Sequence, residues 1–293
     1  MSYVPLRVRS DFSLGYGAPS INSIVKRVGS LSLEACALTD VVSMSGCFAF
    51  FGYMAKAGIQ PIVGCNFIIE NGDIAGDILV LAQNERGYIN LSRLLEMSFT
   101  PIMGRNKKLL IPDIPRLPLS MEVLSLLSDV IVLSGDKQDG LAYNSLKKDN
   151  GRTIKRVEDA AKGRFYVEIC RVEGRTSETE ASLLDFAYGR HDGQERPIVG
   201  TSNCWYANKE DSLTFEMLAF ARGDRKNVVL IDGQKWSEDG KLAIAETESV
   251  DKLYIPDNDT FKEWFSDMPE AIHNTTVIAE RTAFMVEGRS PVL

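Results

Sequence analysis

The chain has 293 residues, 44% of them hydrophobic and 25% charged, with a formal net charge of −7. Those proportions belong to a globular protein with enough apolar material for a sizeable core, and they exclude collagen-like and disordered chains. The acidic balance argues against a domain that grips nucleic acid unaided, because such domains carry a basic face. No run of about 18 apolar residues offers a membrane span. The segment Met1–Arg7 lacks the basic start and apolar stretch of a signal peptide, so a cytoplasmic location is expected. The five cysteines (Cys36, Cys47, Cys65, Cys170, Cys204) are odd in number and widely spaced, which suits reduced structural thiols better than a zinc knuckle or a disulfide framework.

In chain order, Tyr3–Val8 reads as a first strand. Pro19 and Ser20 open a helix whose Ile21, Ile24, Val25 and Val28 share one face. Ala35–Thr39 is a second strand, followed by a helix over Ser45–Ala57 that Gly58 stops. Pro61–Ile69 and Ile78–Ala82 are the next strands, and Arg86–Phe99 is a helix with Leu91, Leu94, Leu95 and Phe99 on one side. Four prolines make Thr100–Pro118 a loop, and its Arg105-Asn106-Lys107-Lys108 run reads as a solvated stretch. Regularity resumes with a helix at Met121–Leu127 and a strand at Val130–Leu133. A helical stretch leads to a strand at Phe165–Ile169, a helix at Ser177–Tyr188, a strand at Pro197–Thr201 and a helix at Lys209–Ala221. Gly223–Glu246 is poorly patterned. Helices follow at Thr260–Phe265 and Pro269–Thr282, and the last eleven residues read as an extended exit. Alternating strands and helices predict parallel β/α units in a closed or nearly closed barrel, with function at the C-terminal ends of the strands. A doubly wound open sheet is the alternative, although no Gly-x-Gly-x-x-Gly or Walker sequence supports a nucleotide-binding version.

The strand Leu6-Arg7-Val8-Arg9-Ser10-Asp11-Phe12-Ser13, with Ala37-Leu38-Thr39-Asp40, resembles the start of a PHP (polymerase and histidinol phosphatase) domain, the N-terminal module of bacterial DNA polymerase III alpha subunits. Further similar segments are Ala57-Gly58-Ile59-Gln60-Pro61-Ile62-Val63-Gly64-Cys65, Leu79–Asn84 continuing through Gly87-Tyr88-Ile89-Asn90-Leu91, Leu133-Ser134-Gly135, Phe165–Ile169, and Asn274-Thr275 with Ile278-Ala279-Glu280-Arg281. The resemblance implies a distorted seven-stranded (β/α) barrel over residues 1–282. Residues 283–293 would then start the connection to a polymerase palm, whose aspartates and Mg²⁺ lie beyond this sequence.

Active PHP domains are phosphoesterases that use two or three metal ions, and the resemblance locates their ligand positions. Arg7 and Arg9 stand where the family has His-x-His, and a guanidinium has no lone pair to give a metal. Asp40 keeps its type, but Val41 replaces the histidine beside it. Asn66 stands for a glutamate, Asp77 for a histidine and Asp136 for a residue that is often cysteine. Val172 lies about where another histidine is expected, in a register blurred by an apparent one-residue insertion. Asn203 and Trp205 replace an aspartate and a histidine. The two histidines of the chain, His191 and His273, fall on no ligand position and read as surface residues.

A degenerate site without metal is therefore expected. Arg7 and Arg9 alternate onto one strand face, where they could form a salt-bridge network with Asp40, Asp77 and Asp136 in place of metal ions. The other reading is drift, with both arginines reaching to solvent. The expected function is a non-catalytic structural and docking module of the polymerase, contacting the polymerase core, the proofreading exonuclease subunit and, through the holoenzyme alone, DNA. The competing function is a metal-dependent phosphoesterase or 3'-5' exonuclease with an Asp-rich site, since magnesium accepts oxygen ligands. An error-prone paralogue of the polymerase is a third reading.

Overall fold

Ser20 accepts the Ser23 amide at 3.2 Å and so caps α1 (Ile21–Ser30), which buries Ile21, Ile24, Val25 and Val28. The computed structural model describes residues 2–14, 17–99, 102–103, 109–110, 115–135, 140–172, 178–221, 229–231, 234–236 and 252–285. β1 (Ala35–Leu38) leads to α2 (Cys47–Lys56), which ends ahead of Gly58 at φ +70°. β2 (Gln60–Asn71) and β3 (Ile74–Ala82) follow, then α3 (Glu85–Ser98), capped by the Asn84 carboxamide. Next come the two-residue strands β4 (Ile102–Met103), β5 (Leu109–Leu110) and β6 (Leu117–Pro118), then α4 (Met121–Ser125) and β7 (Val130–Leu133). The helical stretch before the next strand is two helices, α5 (Leu141–Asp149) and α6 (Arg152–Ala160), parted by Asn150 and Gly151 in the left-handed region. The remaining elements are β8 (Phe165–Cys170), α7 (Glu178–Ala187), β9 (Ile198–Thr201), α8 (Ser212–Ala221), β10 (Val229–Ile231), β11 (Gln234–Trp236), α9 (Asn258–Trp264) and α10 (Pro269–Arg281).

Seven strands form one sheet in the order β1-β2-β3-β7-β8-β9, with β6 beside β2. The sheet curls, as the α/β barrel expectation requires. Its two ends are joined by the N-terminal segment, which adopts extended backbone with a single ladder bridge in place of a regular strand. On one side Ala37 and Thr39 donate their amides to Pro5 O and Val8 O, each at 2.8 Å. On the other, Arg9 N donates to Cys204 O and Cys204 N to Arg7 O, both at 3.1 Å.

One expectation needs correction: the sheet is not uniformly parallel. β3 runs antiparallel to both β2 and β7, while β1–β2, β7–β8 and β8–β9 are parallel. Asn71-Gly72-Asp73 makes the reversal, with Gly72 at φ +61° opening a two-residue hairpin loop. β2 and β3 thus extend up to the turn, where separate strands at Pro61–Ile69 and Ile78–Ala82 were expected. The prolines of 100–118 do not exclude strand pairing either, because β6 docks on the edge of β2.

Alternate residues of each strand divide the core. Leu6, Ala37, Ile62, Leu79, Leu81, Leu133, Tyr166 and Val199 cluster on the concave face, which Ile278 and Ala279 of α10 also line. Their sequence neighbours pack outward beneath the helices. Gly64 permits the close approach of β2 to β3: a Cβ there would lie 2.6 Å from Val80 O and 2.5 Å from Leu81 Cδ2. Gly64→Ala is therefore expected to overpack the sheet and cost about 1–3 kcal/mol, read as a lower urea midpoint at unchanged slope.

Candidate functional site

The concave face changes from apolar to charged at the mouth, where the parallel strands end. Asp77 lies two residues before Leu79 on β3, and because β3 is antiparallel its beginning reaches the same end of the sheet. Glu168 lies two residues after Tyr166 on β8, and Thr201 two after Val199 on β9, so both continue the inward face. Arg7 comes directly after the inward Leu6, so the alternation slips by one residue there. That irregularity suits the lack of a regular ladder in this segment.

Arg7 fills the centre of this charged layer. Its Nε and Nη2 donate to Glu168 Oε1 and Oε2, both at 2.7 Å, and Nη1 donates to Asp77 Oδ2 at 2.6 Å. The side chains of Arg7 and Glu168 are wholly buried, and that of Asp77 is 11% exposed. Thr201 Oγ1 adds a donor to Glu168 Oε1 at 2.7 Å, and the Glu168 amide donates to Ser134 Oγ at 2.9 Å. Gly135, at φ +98°, lets the chain after β7 pass close to Asp77; a Cβ would fall 2.0 Å from Asp77 O.

Arg9 has different company. Its Nη1 donates to Asn203 Oδ1, and its guanidinium carbon lies 3.7 Å from the centroid of the Trp205 ring. Asp40 stands apart from the Arg7 pairs. Its Oδ1 accepts Ser10 N at 2.6 Å and Ser13 Oγ at 2.6 Å, and its Oδ2 accepts Ser10 Oγ at 2.8 Å. Burial pushes the Asp40 carboxyl above the usual aspartate range, against the opposing pull of Ser13, Ser10 and Arg9.

Of the five residues expected to form one network, Arg7 and Asp77 meet directly. Arg9 and Asp40 engage Asn203, Trp205 and the two serines, and Asp136 lies outside the described residues. Both arginines are buried, contrary to the reading in which they reach to solvent. Val41 is half-buried, with its amide on Ser13 Oγ at 3.0 Å; Val172 is half-buried at the end of β8. Asn66 is buried, and no donor among the described residues meets its Oδ1. His191 and His273 are exposed. Glu168, Thr201, Ser10 and Ser13 were missed. Glu168 alone had a visible signal, as an acid inside the apolar run Phe165-Tyr166-Val167-Glu168-Ile169.

A family profile described as "PHP domain" matches residues 5–171. The chain belongs to the PHP family. DNA polymerase III subunit alpha of Caulobacter vibrioides is 29% identical over 304 residues, spanning 99% of this chain and 24% of that protein. The Vibrio cholerae subunit is 28% identical over 286 residues, spanning 95% and 22%. This PHP chain thus covers about a quarter of the length of those relatives. A solved structure from Bifidobacterium adolescentis, assigned as a metal-dependent phosphoesterase, superposes with a TM-score of 0.44 at 14% identity over 90% of this chain and 95% of its own.

Removing Arg7 leaves two carboxylates facing each other without a counter-charge. Arg7→Met is expected to destabilise the chain by about 3–5 kcal/mol, and adding Glu168→Gln should restore a large part of it, a coupling that a double-mutant cycle in urea measures. Asp40 gives a pH signature. Its pKa is raised on folding, so the folded state holds the proton longer, and stability falls as pH rises from the ordinary aspartate range through the raised value. Asp40→Asn should therefore gain stability relative to the parent as pH rises above the ordinary aspartate range, seen as diverging urea midpoints.

Proposed function

We propose that this PHP domain is a non-catalytic structural and docking module of a bacterial DNA polymerase III alpha chain, working in chromosomal replication. The observation that carries the reading is the fully buried Arg7 guanidinium held by Asp77 and Glu168. A phosphoesterase centre needs metal ions to activate water and neutralise the phosphate. Here the oxygens that could take a cation face a guanidinium already, and Asp40 is engaged by Ser10 and Ser13. The remaining donor of note, Asn66 Oδ1, is a single amide oxygen. Among the described residues no three His, Cys, Asp or Glu side chains group as a metal site. The described residues do not fit the two- or three-metal cluster of active PHP domains.

The polymerase relatives supply the rest of the reading. The partner surfaces would be the polymerase core of the same chain and a separate proofreading exonuclease subunit, with DNA engaged through the holoenzyme and Mg²⁺ in the palm. No helix among the described residues is long and apolar enough to cross a membrane, which agrees with a cytoplasmic setting.

The test is hydrolysis of p-nitrophenyl phosphate and of single-stranded DNA with Mn²⁺, Zn²⁺ or Mg²⁺ against an EDTA control. The expected result is no metal-dependent turnover. Mn²⁺-stimulated hydrolysis abolished by Asp40→Ala would overturn the reading in favour of an Asp-rich phosphoesterase. Co-purification with the exonuclease subunit checks the docking part separately.

A further inference from the structure

No charged residue occurs between Asp40 and Lys56, a stretch that holds nearly all of α2. Cys47, Phe50, Phe51 and Met54 bury one side of the helix. The other side presents Phe48, Ala49, Gly52, Tyr53 and Ala55, with Phe48 69% and Tyr53 47% exposed. A surface helix ordinarily sets charged groups opposite its buried stripe. Helices α3 and α6 do so: α3 exposes Glu85, Arg86 and Arg93, and α6 exposes Arg152, Arg156 and Asp159. The apolar face of α2 continues at its N-terminal end. There Phe12, 37% exposed, packs so close to Gly46 that a Cβ on Gly46 would fall 2.8 Å from Phe12 Cδ2. Exposed aromatic rings separated by small residues, without a charge among them, have the composition of an interface core.

The path of the chain points to the occupant. Phe284, just past α10, meets Phe51 edge-on with ring centroids 6.2 Å apart. Phe51 lies one helical turn from both Phe48 and Ala55, at the border between the buried and outer faces. The backbone beyond α10 therefore runs beside α2, where Met285 is 53% exposed. In an alpha subunit, whatever follows this domain starts next to the uncharged face. We propose that the outer face of α2 is the seat of the polymerase core of the alpha chain, with Phe48 and Tyr53 as its anchors. This rests on the reading of the chain as an alpha-subunit domain. The short tether makes the contact intramolecular, so a modest apolar area suffices to hold it.

Gly52→Cys supplies the probe. A Cβ at Gly52 meets nothing within 4 Å, and all five native cysteines are buried, so the new thiol is the readily reactive one. In the 293-residue chain it should react with Ellman's reagent as an exposed thiol does, and in the full-length alpha subunit at least about tenfold more slowly. Equal rates in the two overturn the proposal. Protection that appears only when the exonuclease subunit is added assigns the face to that subunit and overturns it too. So does protection in the 293-residue chain that rises with its concentration, which would mark a second copy. Phe48→Asp is the check by stability. It should leave the urea midpoint of the 293-residue chain unchanged and lower the thermal midpoint of the full-length subunit; no shift in the full-length subunit overturns the proposal. A full-length subunit that extends no primer counts against the proposed function, whereas thiol protection reports on the surface regardless.

Discussion

The architecture of the mouth depends on one constraint: the Glu168 and Asp77 carboxylates, buried side by side, need a cation within hydrogen-bonding distance. An ionised carboxylate taken from water into a protein interior loses solvation worth several kcal/mol even after relaxation. Glu168 has no exposed side-chain surface and Asp77 has little. In metal-bearing members of the family, ions supply the positive charge. In this chain a guanidinium does, and its planar fork suits the task because one edge meets both oxygens of Glu168 while the remaining nitrogen meets Asp77. Lysine at the same position would offer a point charge without that geometry.

Arg9 and Asp40 show that the charged layer is assembled from separate local solutions. Trp205 gives the second guanidinium an aromatic face, and Asn203 gives it an acceptor that carries no charge. Asp40 is held by three donors from the loop after the N-terminal strand, two of them serine hydroxyls. Neutral donors leave its desolvation only partly offset, which is why its carboxyl resists ionisation. The residues at 9, 203 and 205 thus fit one another, as do those at 7, 77 and 168.

Much of the fold was legible in the sequence, because periodicity is a local property. Ile21, Ile24, Val25 and Val28 identify α1, and the apolar runs identify β1, β7, β8 and β9. Orientation was harder. The hairpin signal Asn71-Gly72 was present but sat inside what read as the end of one strand and the approach to another, so the antiparallel β3 went unseen. At the site, Arg7, Arg9 and Asp77 were marked by their departure from a pattern. Glu168 was visible as an acid inside an apolar run, but it belongs to no ligand position and only the chain's three-dimensional path shows that it faces Arg7. The role of Ser10 and Ser13 was equally hidden, since it depends on how the loop folds back over Asp40.

The antiparallel strand is also what makes the arginine solution possible. Were β3 parallel to its neighbours, the inward residues near its start would sit at the far end of the sheet, beside α10, and Asp77 could not share a cation with Glu168. Reversal brings that start to the mouth, where Gly135, free to adopt a positive φ, lets the chain after β7 fold close against it. The reversal of β3 thus gathers Asp77 and Glu168 around one guanidinium. An arginine on the closing segment neutralises the acids of this layer while joining β3, β8 and the N-terminal segment in a single contact. In this domain the charged mouth is a point at which the barrel is fastened.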